Sequence, residues 1–217
     1  MYASIGKMLD LKGFDRMIAI IDYDAGNLRS VEKALISLGE DVVVSREADV
    51  LLAADKVILP GVGAFGDAMD KLKEYGLVEV INKIVAKNIP LLGICLGLQL
   101  MFEESDEAPG VKGLGLLKGK ILRIPPKEGL KIPHMGWNSI DIKPQARLFK
   151  GIKNNSYVYF VHSYYLKADE EDIVAASTEY SVHIHASVES GNIFACQFHP
   201  EKSSDIGLKI LKNFAEL

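Results

Sequence analysis

Two segments of the sequence carry residues that could act together as a nucleophile and its base. The first is Gly-Ile-Cys-Leu-Gly at 93–97, which follows the apolar run 89–94. A nucleophile on a sharp strand-to-helix turn adopts a strained backbone, and glycines beside it let the two elements approach each other. The helix N-terminus would stabilise a Cys95 thiolate, and the backbone N–H of Leu96 would point at an oxyanion. The pattern predicts a cysteine nucleophile.

The second segment is Gln-Phe-His-Pro-Glu at 197–201, at the end of the last predicted strand. A thiol nucleophile needs a base, and His199 is the candidate, with Glu201 placed across Pro200 in an extended segment to orient the imidazole. A histidine beside a glutamate is by itself more often a solvated turn. Both segments nevertheless follow predicted strands, where open α/β sheets place their active sites. We therefore predict a Cys95-His199-Glu201 triad.

The two cysteines differ in their surroundings. A lone cysteine in an apolar setting is more often a core residue than a nucleophile, but the glycines around Cys95 reverse that preference. Cys196 lies within the strand pattern 192–198 without such glycines, so we assign it to packing.

A third glycine-rich segment, Leu-Pro-Gly-Val-Gly at 59–63, follows another predicted strand. It could offer a second backbone N–H to a tetrahedral intermediate, or it could be a simple strand-to-helix turn. It is no phosphate loop, because no Gly-Lys-Ser or Gly-Lys-Thr follows it, and it lacks the full dinucleotide-binding glycine pattern.

The elements that must position these residues alternate between strands and helices in the first half of the chain. Strands are predicted at 17–22, 42–44, 57–59 and 89–94, a helix at 28–38 and a mostly helical stretch at 67–87, with Asn27 as N-cap and Gly39 as the left-handed C-cap of the first helix. This alternation predicts an α/β fold with a mostly parallel central sheet flanked by helices. After about residue 115, strands at 120–124, 157–164, 173–177 and 183–188 follow with few helices between them, which predicts an additional antiparallel β region. A helix with a serine cap is predicted to close the chain at 203–217.

Composition limits the classes of function. The 217 residues have a net charge of -4 and no block of like charges, so neither nucleic acid nor a membrane surface is an expected partner. Two cysteines and the lack of a long apolar run favour the cytoplasm over a disulfide scaffold or a membrane. We expect residues 1–16 to form a flexible extension and 17–217 a single domain.

With these motifs assembled, the sequence resembles the triad (class I) glutamine amidotransferases, through P-G-V-G at 60–63, G-I-C-L-G-L-Q at 93–99 and Q-F-H-P-E-K at 197–202. Within that family it is similar to the glutaminase subunits of imidazole glycerol phosphate synthases in histidine biosynthesis. The narrower resemblance depends on D-Y-D-A-G-N-L-R-S-V from Asp22, P-H-M-G-W-N from Pro133 and Y-F-V-H-S-Y from Tyr159. It covers the chain from Met17 onward and implies a flavodoxin-like sheet.

The resemblance implies hydrolysis of glutamine through a γ-glutamyl thioester on Cys95, with ammonia and glutamate as products. It places the oxyanion at the N–H of Leu96 and, after a peptide rearrangement at Gly61-Val62, at that of Val62. It also implies that five residues bind the substrate: Gly63, Gln99, Glu107, Ser163 and Tyr164. Without the motif, Gln99 would be read as an exposed helix residue. No cofactor is implied.

The resemblance further implies a heterodimer with a (β/α)8-barrel cyclase that receives the ammonia and forms imidazole glycerol phosphate and the aminoimidazole carboxamide nucleotide. Four residues are expected at the docking surface: Asn27, Trp137, Tyr159 and Lys202. Trp137 and Tyr159 could instead be ordinary core or strand aromatics, and Lys202 could simply be solvated.

The remaining histidines are not expected to bind a metal. His183 and His185 alternate on one strand face without a third ligand nearby, which is typical of polar positions on an exposed sheet face. His162 is interpreted as a supporting residue, because it lacks an adjoining carboxylate.

Two other functions stay open. The chain could serve another synthase, of the anthranilate or aminodeoxychorismate type, or it could be a catalytically silent docking module. H-M-G-W-N argues against the first and the intact Cys95, His199 and Glu201 against the second.

Overall fold

The computed structural model describes residues 17–24 and 26–217, so the extension expected at 1–16 lies outside the described residues. The strands are β1 Met17–Ile21, β2 Asp41–Ser45, β3 Lys56–Leu59, β4 Leu91–Ile94, β5 Glu104–Ser105, β6 Gly119–Arg123, β7 His134–Ser139, β8 Asp141–Ile142, β9 Tyr157–His162, β10 Tyr164–Ala168, β11 Val174–Tyr180, β12 Val182–Ser190 and β13 Ile193–Cys196. The helices are α1 Leu28–Ser37, α2 Ala48–Ala53, α3 Phe65–Glu74, α4 Leu77–Ala86, α5 Leu96–Leu100 and α6 Ser204–Ala215.

An eight-stranded sheet forms the centre, in the order β2-β1-β3-β4-β13-β12-β11-β8. The first five of these strands are parallel, and α1 to α4 carry the chain back across the sheet between β1, β2, β3 and β4. β1 in the interior of this sheet is apolar on both faces: all of its residues are buried, with Ile18 and Ile20 in one core cluster and Ala19 and Ile21 in the other. The predicted parallel sheet is confirmed.

The second half of the chain is antiparallel, as predicted. β12, β11 and β8 extend the central sheet in antiparallel order, β10 pairs antiparallel with β6, and β7 pairs antiparallel with β9. The predicted strand over 157–164 is too long: β9 ends at His162, the chain bends at Ser163, and a separate strand, β10, begins at Tyr164. β5, β7, β8, α2 and the rest of β10 were not predicted.

The mostly helical stretch expected over 67–87 is present as α3 and α4, which are separated at Gly76, where the backbone has a left-handed φ of 67° that glycine adopts without strain. The predicted side-chain caps are wrong. Asn27 and Ser203 stand at the N-cap positions of α1 and α6, but neither side chain caps a helix N–H within the described residues. Gly39 follows α1 with φ 84°, as expected of a C-cap glycine.

None of the helices in the described part of the chain combines the length and the apolar character needed to cross a bilayer.

Candidate active site

Cys95 occupies the turn between β4 and α5, with φ 54° and ψ −107°. A non-glycine residue in this region is strained, and such strain is common where a turn presents a nucleophile. The flanking glycines make the turn possible. A Cβ on Gly97 would lie 1.8 Å from the Leu59 carbonyl oxygen, and one on Gly93 would lie 2.8 Å from the Gly97 backbone. The close approach expected of this motif is therefore present.

The sheet brings His199 to the same edge as Cys95. β13 pairs in parallel with β4, with Cys196 opposite Ile94. The segments that follow the two strands therefore leave the sheet side by side. The His199 Nδ1 lies 2.7 Å from Glu201 Oε1, and the two side chains are 1% and 0% exposed. Glu201 returns toward the ring in the 3-10 turn Pro200–Lys202, so the extended segment expected here is wrong.

Cys95 and Glu201 together raise the pKa of His199 to about 9. Burial alone would lower the pKa, because it disfavours the charged ring, but the nearby Cys95 and the hydrogen-bonded carboxylate of Glu201 outweigh burial. Nε2 of His199 has no hydrogen-bond partner among the described residues. The ring is therefore an imidazolium at neutral pH, with Nδ1 held by a carboxylate and Nε2 left for the reacting groups.

Gln197 is a site residue that sequence reasoning missed. It is fully buried, and its Nε2 donates to the Cys95 Sγ at 3.8 Å. Its Oε1 accepts from Gln99 Nε2 at 3.1 Å. The signal for it was its place two residues before His199, because alternate residues of an extended segment share a side.

Gln99 is buried, so the alternative that makes it an exposed helix residue is wrong. Besides Gln197, its Nε2 donates to the Tyr164 carbonyl oxygen at 3.1 Å. Both amide hydrogens of Gln99 are therefore used within the protein, and they tie α5 to Gln197 and to the start of β10.

The glycine-rich loop at 60–63 presents a carbonyl oxygen to the neighbour of Cys95. The Leu96 N–H donates to the Gly61 oxygen at 3.3 Å. Because a peptide is planar and trans, the Val62 N–H of the same Gly61-Val62 peptide points the opposite way. Neither N–H expected to bind an oxyanion is thus available in this conformation.

Tyr23 fixes the start of this loop, and the sequence reasoning did not single it out. Its buried hydroxyl donates to the Pro60 oxygen at 2.7 Å. Burial, reinforced by the charge of Cys95, raises its pKa, so it stays a neutral phenol. A Cβ on Gly61 would lie 2.4 Å from this hydroxyl oxygen, which explains the glycine.

A cavity of about 420 Å³ opens beside Cys95 and His199. It gathers all the residues expected to bind the substrate or the oxyanion, namely Val62, Gly63, Leu96, Gln99, Glu107, Ser163 and Tyr164, and it also takes in Pro133, Val161 and His162. The Glu107 Oε2 accepts the Phe65 N–H at 2.9 Å, so this carboxylate also holds the start of α3.

The motifs H-M-G-W-N and F-V-H-S-Y meet in a buried hydrogen-bonded chain. His162 Nδ1 donates to the Tyr164 oxygen at 2.8 Å. That fixes His162 Nε2 as the acceptor for His134 Nδ1, at 3.0 Å. Asn138 Nδ2 lies 3.4 Å from His134 Nε2. Burial lowers the pKa of His162 to about 3 and that of His134 to about 4, so both rings are neutral at neutral pH.

The outer face of the paired strands β7 and β9 is apolar and exposed. Trp137 is 53% exposed and packs edge to face with the half-buried Tyr159, at 6.1 Å between ring centroids. Met135 and Tyr157 lie on the same face and are 62% and 59% exposed. Sequence reasoning missed both, although alternate residues of a strand share a face. The alternative that makes Trp137 a core residue is wrong.

The other two residues expected at a docking surface lie near Glu201. Lys202 is exposed, and Asn27 is half-buried with its Nδ2 2.5 Å from Glu201 Oε1.

His183 and His185 share a strand face, with ring centroids 5.8 Å apart. His183 is exposed as expected, but His185 is buried and accepts the Ala168 N–H at 3.1 Å, so the expectation of an exposed position is wrong for it.

Comparison with known proteins identifies the family. Residues 19–217 match the family model described as glutamine amidotransferase class-I. The chain belongs to the class I glutamine amidotransferases. Curated relatives in this family include "Imidazole glycerol phosphate synthase subunit HisH" of Methanocaldococcus jannaschii, 54% identical over 93% of this chain and 100% of the relative. The protein of the same name from Moorella thermoacetica is 52% identical over 93% of this chain and 95% of its own.

Solved structures share the fold. A crystal structure of a glutamine amidotransferase matches with a TM-score of 0.71 and 21% identity, over 92% of this chain and 99% of the other. The structure of PurLQS from Thermotoga maritima matches with a TM-score of 0.69 and 20% identity, over 93% of this chain and 98% of the other. The fold thus persists where sequence identity is low.

Proposed function

We propose that this amidotransferase is the glutaminase subunit of imidazole glycerol phosphate synthase. It would hydrolyse glutamine to glutamate and ammonia and pass the ammonia to a cyclase partner. The observation that carries the proposal is the identity of 54% and 52% to relatives of that name across 93% of the chain. The cavity beside Cys95, which gathers the expected substrate residues, supports it.

The reaction begins with attack of the Cys95 thiolate on the side-chain carbonyl carbon of glutamine. This attack forms the C–S bond and a tetrahedral intermediate. The imidazolium of His199 then protonates the amide nitrogen, the C–N bond breaks, and ammonia leaves a γ-glutamyl thioester on Cys95. The now neutral His199 takes a proton from water, whose oxygen attacks the thioester and releases glutamate. Glu201 stabilises the imidazolium through its 2.7 Å hydrogen bond to Nδ1.

The oxyanion is assigned to the N–H groups of Leu96 and Val62. In the conformation described above, the Leu96 N–H donates to the Gly61 oxygen and is not free to bind an oxyanion. Rotation of the Gly61-Val62 peptide would free that N–H and turn the Val62 N–H toward Cys95, which completes the site. We therefore expect the isolated chain to be a poor glutaminase until a partner and its ligand favour the rotated peptide.

Gln99, Glu107, Ser163, Tyr164 and Gly63 are assigned to the substrate. Their place on the wall of one cavity supports this assignment. The carboxylate of Glu107 suits the ammonium group of an amino acid, because opposite charges attract strongly in a partly buried site.

The partner is assigned to the exposed face of β7–β9, with Asn27 and Lys202 at its margin. A contiguous apolar patch on a protein of this size is typical of an interface, and aromatic residues are enriched there. The partner implied is a (β/α)8-barrel cyclase. A sealed contact would keep ammonia from solvent, where it becomes protonated and loses its nucleophilicity. Both cysteines are unbridged in the described chain, which fits the reducing cytoplasm.

The test is a glutaminase assay with the cyclase partner and its nucleotide substrate. Cys95→Ala is expected to abolish hydrolysis and Cys196→Ala, the matched control, to retain it. Equal activity of the two variants would disprove the nucleophile. Stimulation by a chorismate-using synthase, and none by the cyclase, would assign the chain to that other synthase. If the wild-type complex hydrolysed no glutamine, the chain would instead be a catalytically silent docking module.

A further inference from the structure

The carboxylate of Glu201 is buried and has few hydrogen bonds. Its side chain is 0% exposed. Oε1 accepts from His199 Nδ1 at 2.7 Å and from Asn27 Nδ2 at 2.5 Å. Oε2 has no partner among the described residues. Since a buried carboxylate is costly without hydrogen bonds, the Asn27 amide is a principal source of its stabilisation.

Asn27 uses its side chain for this contact and not for its own helix. It stands at the N-cap of α1 with a left-handed φ of 74°. Asparagine is among the best helix caps and among the few non-glycine residues that tolerate this backbone region. Here the left-handed backbone coincides with an amide directed at Glu201, which lies 174 positions away in sequence. An asparagine satisfies both the backbone and the carboxylate.

We propose that Asn27 is a positioning residue of the triad. Its amide holds Glu201 Oε1 in line with His199 Nδ1, and this bond fixes the tilt of the ring whose Nε2 is left for the reacting groups. Asn27 itself touches neither substrate nor sulfur. The inference rests on the proposed glutaminase function, because it assigns a task within that reaction.

The first experiment compares Asn27→Ala with Asn154→Ala in the complex with the cyclase. Asn154 also donates to a carboxylate, that of Asp141 at 2.7 Å, but it lies in the loop before β9 and does not line the cavity beside Cys95. Loss of one charge-assisted hydrogen bond that orients the triad is expected to lower kcat by about 10- to 50-fold, with KM changed by less than about 2-fold. Asn154→Ala is expected to keep wild-type kcat and KM.

A second variant, Asn27→Asp, tests whether the donated hydrogen is what matters. A carboxyl group here can donate to Glu201 only while the pair keeps a proton, because two adjacent carboxylates do not both ionise readily. The other ionisable groups that interact around this pair are His199, Cys95 and Cys196. The activity of Asn27→Asp relative to Asn27→Ala is expected to fall as pH rises from about 6 to about 9, because only the protonated carboxyl group replaces the hydrogen bond that both variants lose.

A third measurement works on the chain alone and needs no glutamine hydrolysis. The pH profile of Cys95 alkylation by iodoacetamide reports the imidazolium that stabilises the thiolate, and Cys95→Ala gives the background. Asn27→Ala is expected to shift the midpoint of this profile. If the wild-type complex hydrolysed no glutamine, the proposed function would fail while this profile still tested the positioning role.

The results that would overturn the inference are specific. Asn27→Ala with wild-type kcat and a superimposable alkylation profile, and only a lower Tm, would make Asn27 a structural tie between α1 and the 3-10 turn. A level ratio of Asn27→Asp to Asn27→Ala activity across the same pH range would also reject it, since the protonated form would then offer no advantage.

Discussion

The buried histidines His134 and His162 should lower the free energy of unfolding of this amidotransferase at acidic pH, and substitution of one of them should reduce that effect. Burial lowers the pKa of His162 from 6.5 to about 3. The unfolded chain therefore binds a proton below about pH 6.5 that the folded chain does not bind. A depressed histidine pKa means that stability is lost as pH falls from 6.5 toward 3.

The magnitude follows from the size of this shift. Each pH unit below 6.5 costs about 1.4 kcal/mol for one proton bound only by the unfolded state, so at about pH 4.5 His162 costs about 3 kcal/mol. His162→Asn is the chosen change. The Asn Nδ2 can still donate to the Tyr164 oxygen in place of the ring Nδ1, while the titrating group is removed.

The assay is urea denaturation of both proteins between about pH 7.5 and pH 4.5. His162→Asn is expected to be less stable at the upper pH, because His134 loses its acceptor, but its free energy of unfolding should fall by about 3 kcal/mol less across the range. His183→Asn is the control, since this ring is exposed. Parallel curves for wild type and His162→Asn would refute the reasoning, because the neutral buried ring would then not be the source of the acid sensitivity.

Two further predictions concern the supports of the triad. Gly97→Ala is expected to destabilise the protein by at least about 3 kcal/mol and abolish activity, because its Cβ would lie 1.8 Å from the Leu59 oxygen. Gly66→Ala, whose Cβ would meet only Ala108 at 3.4 Å, is the control, and thermal melting compares the two. Ser203→Ala removes the hydroxyl that donates to the His199 oxygen at 2.6 Å and accepts the Tyr159 N–H at 2.9 Å, and we expect a loss of about 1 to 3 kcal/mol in urea denaturation. Ser37→Ala, which loses an exposed bond, should cost much less, and an equal loss would contradict the assignment.

Sequence patterns predicted the fold well where a strand is buried on both faces and is therefore apolar throughout. The run Met17–Ile21 is apolar throughout because helices cover both sides of a parallel sheet. The pattern over 67–87 predicted mostly helix but did not locate the break at Gly76, where the backbone is left-handed. The prediction of side-chain caps was wrong. Asn27 lies at the N-cap position of α1, but its side-chain amide donates to Glu201 and not to the helix.

The sequence by itself determined which residues were capable of the chemistry. Glycines at 93 and 97 indicate close approach around Cys95, and His199 stands beside a carboxylate after a strand, so residue types and spacing were sufficient to propose the triad. Only the tertiary structure decided what supports it. Gln197, Tyr23 and the His134–His162 pair act through hydrogen bonds between distant segments. Such bonds depend on the orientation and burial of two partners at once, and neither quantity exists until the chain has folded.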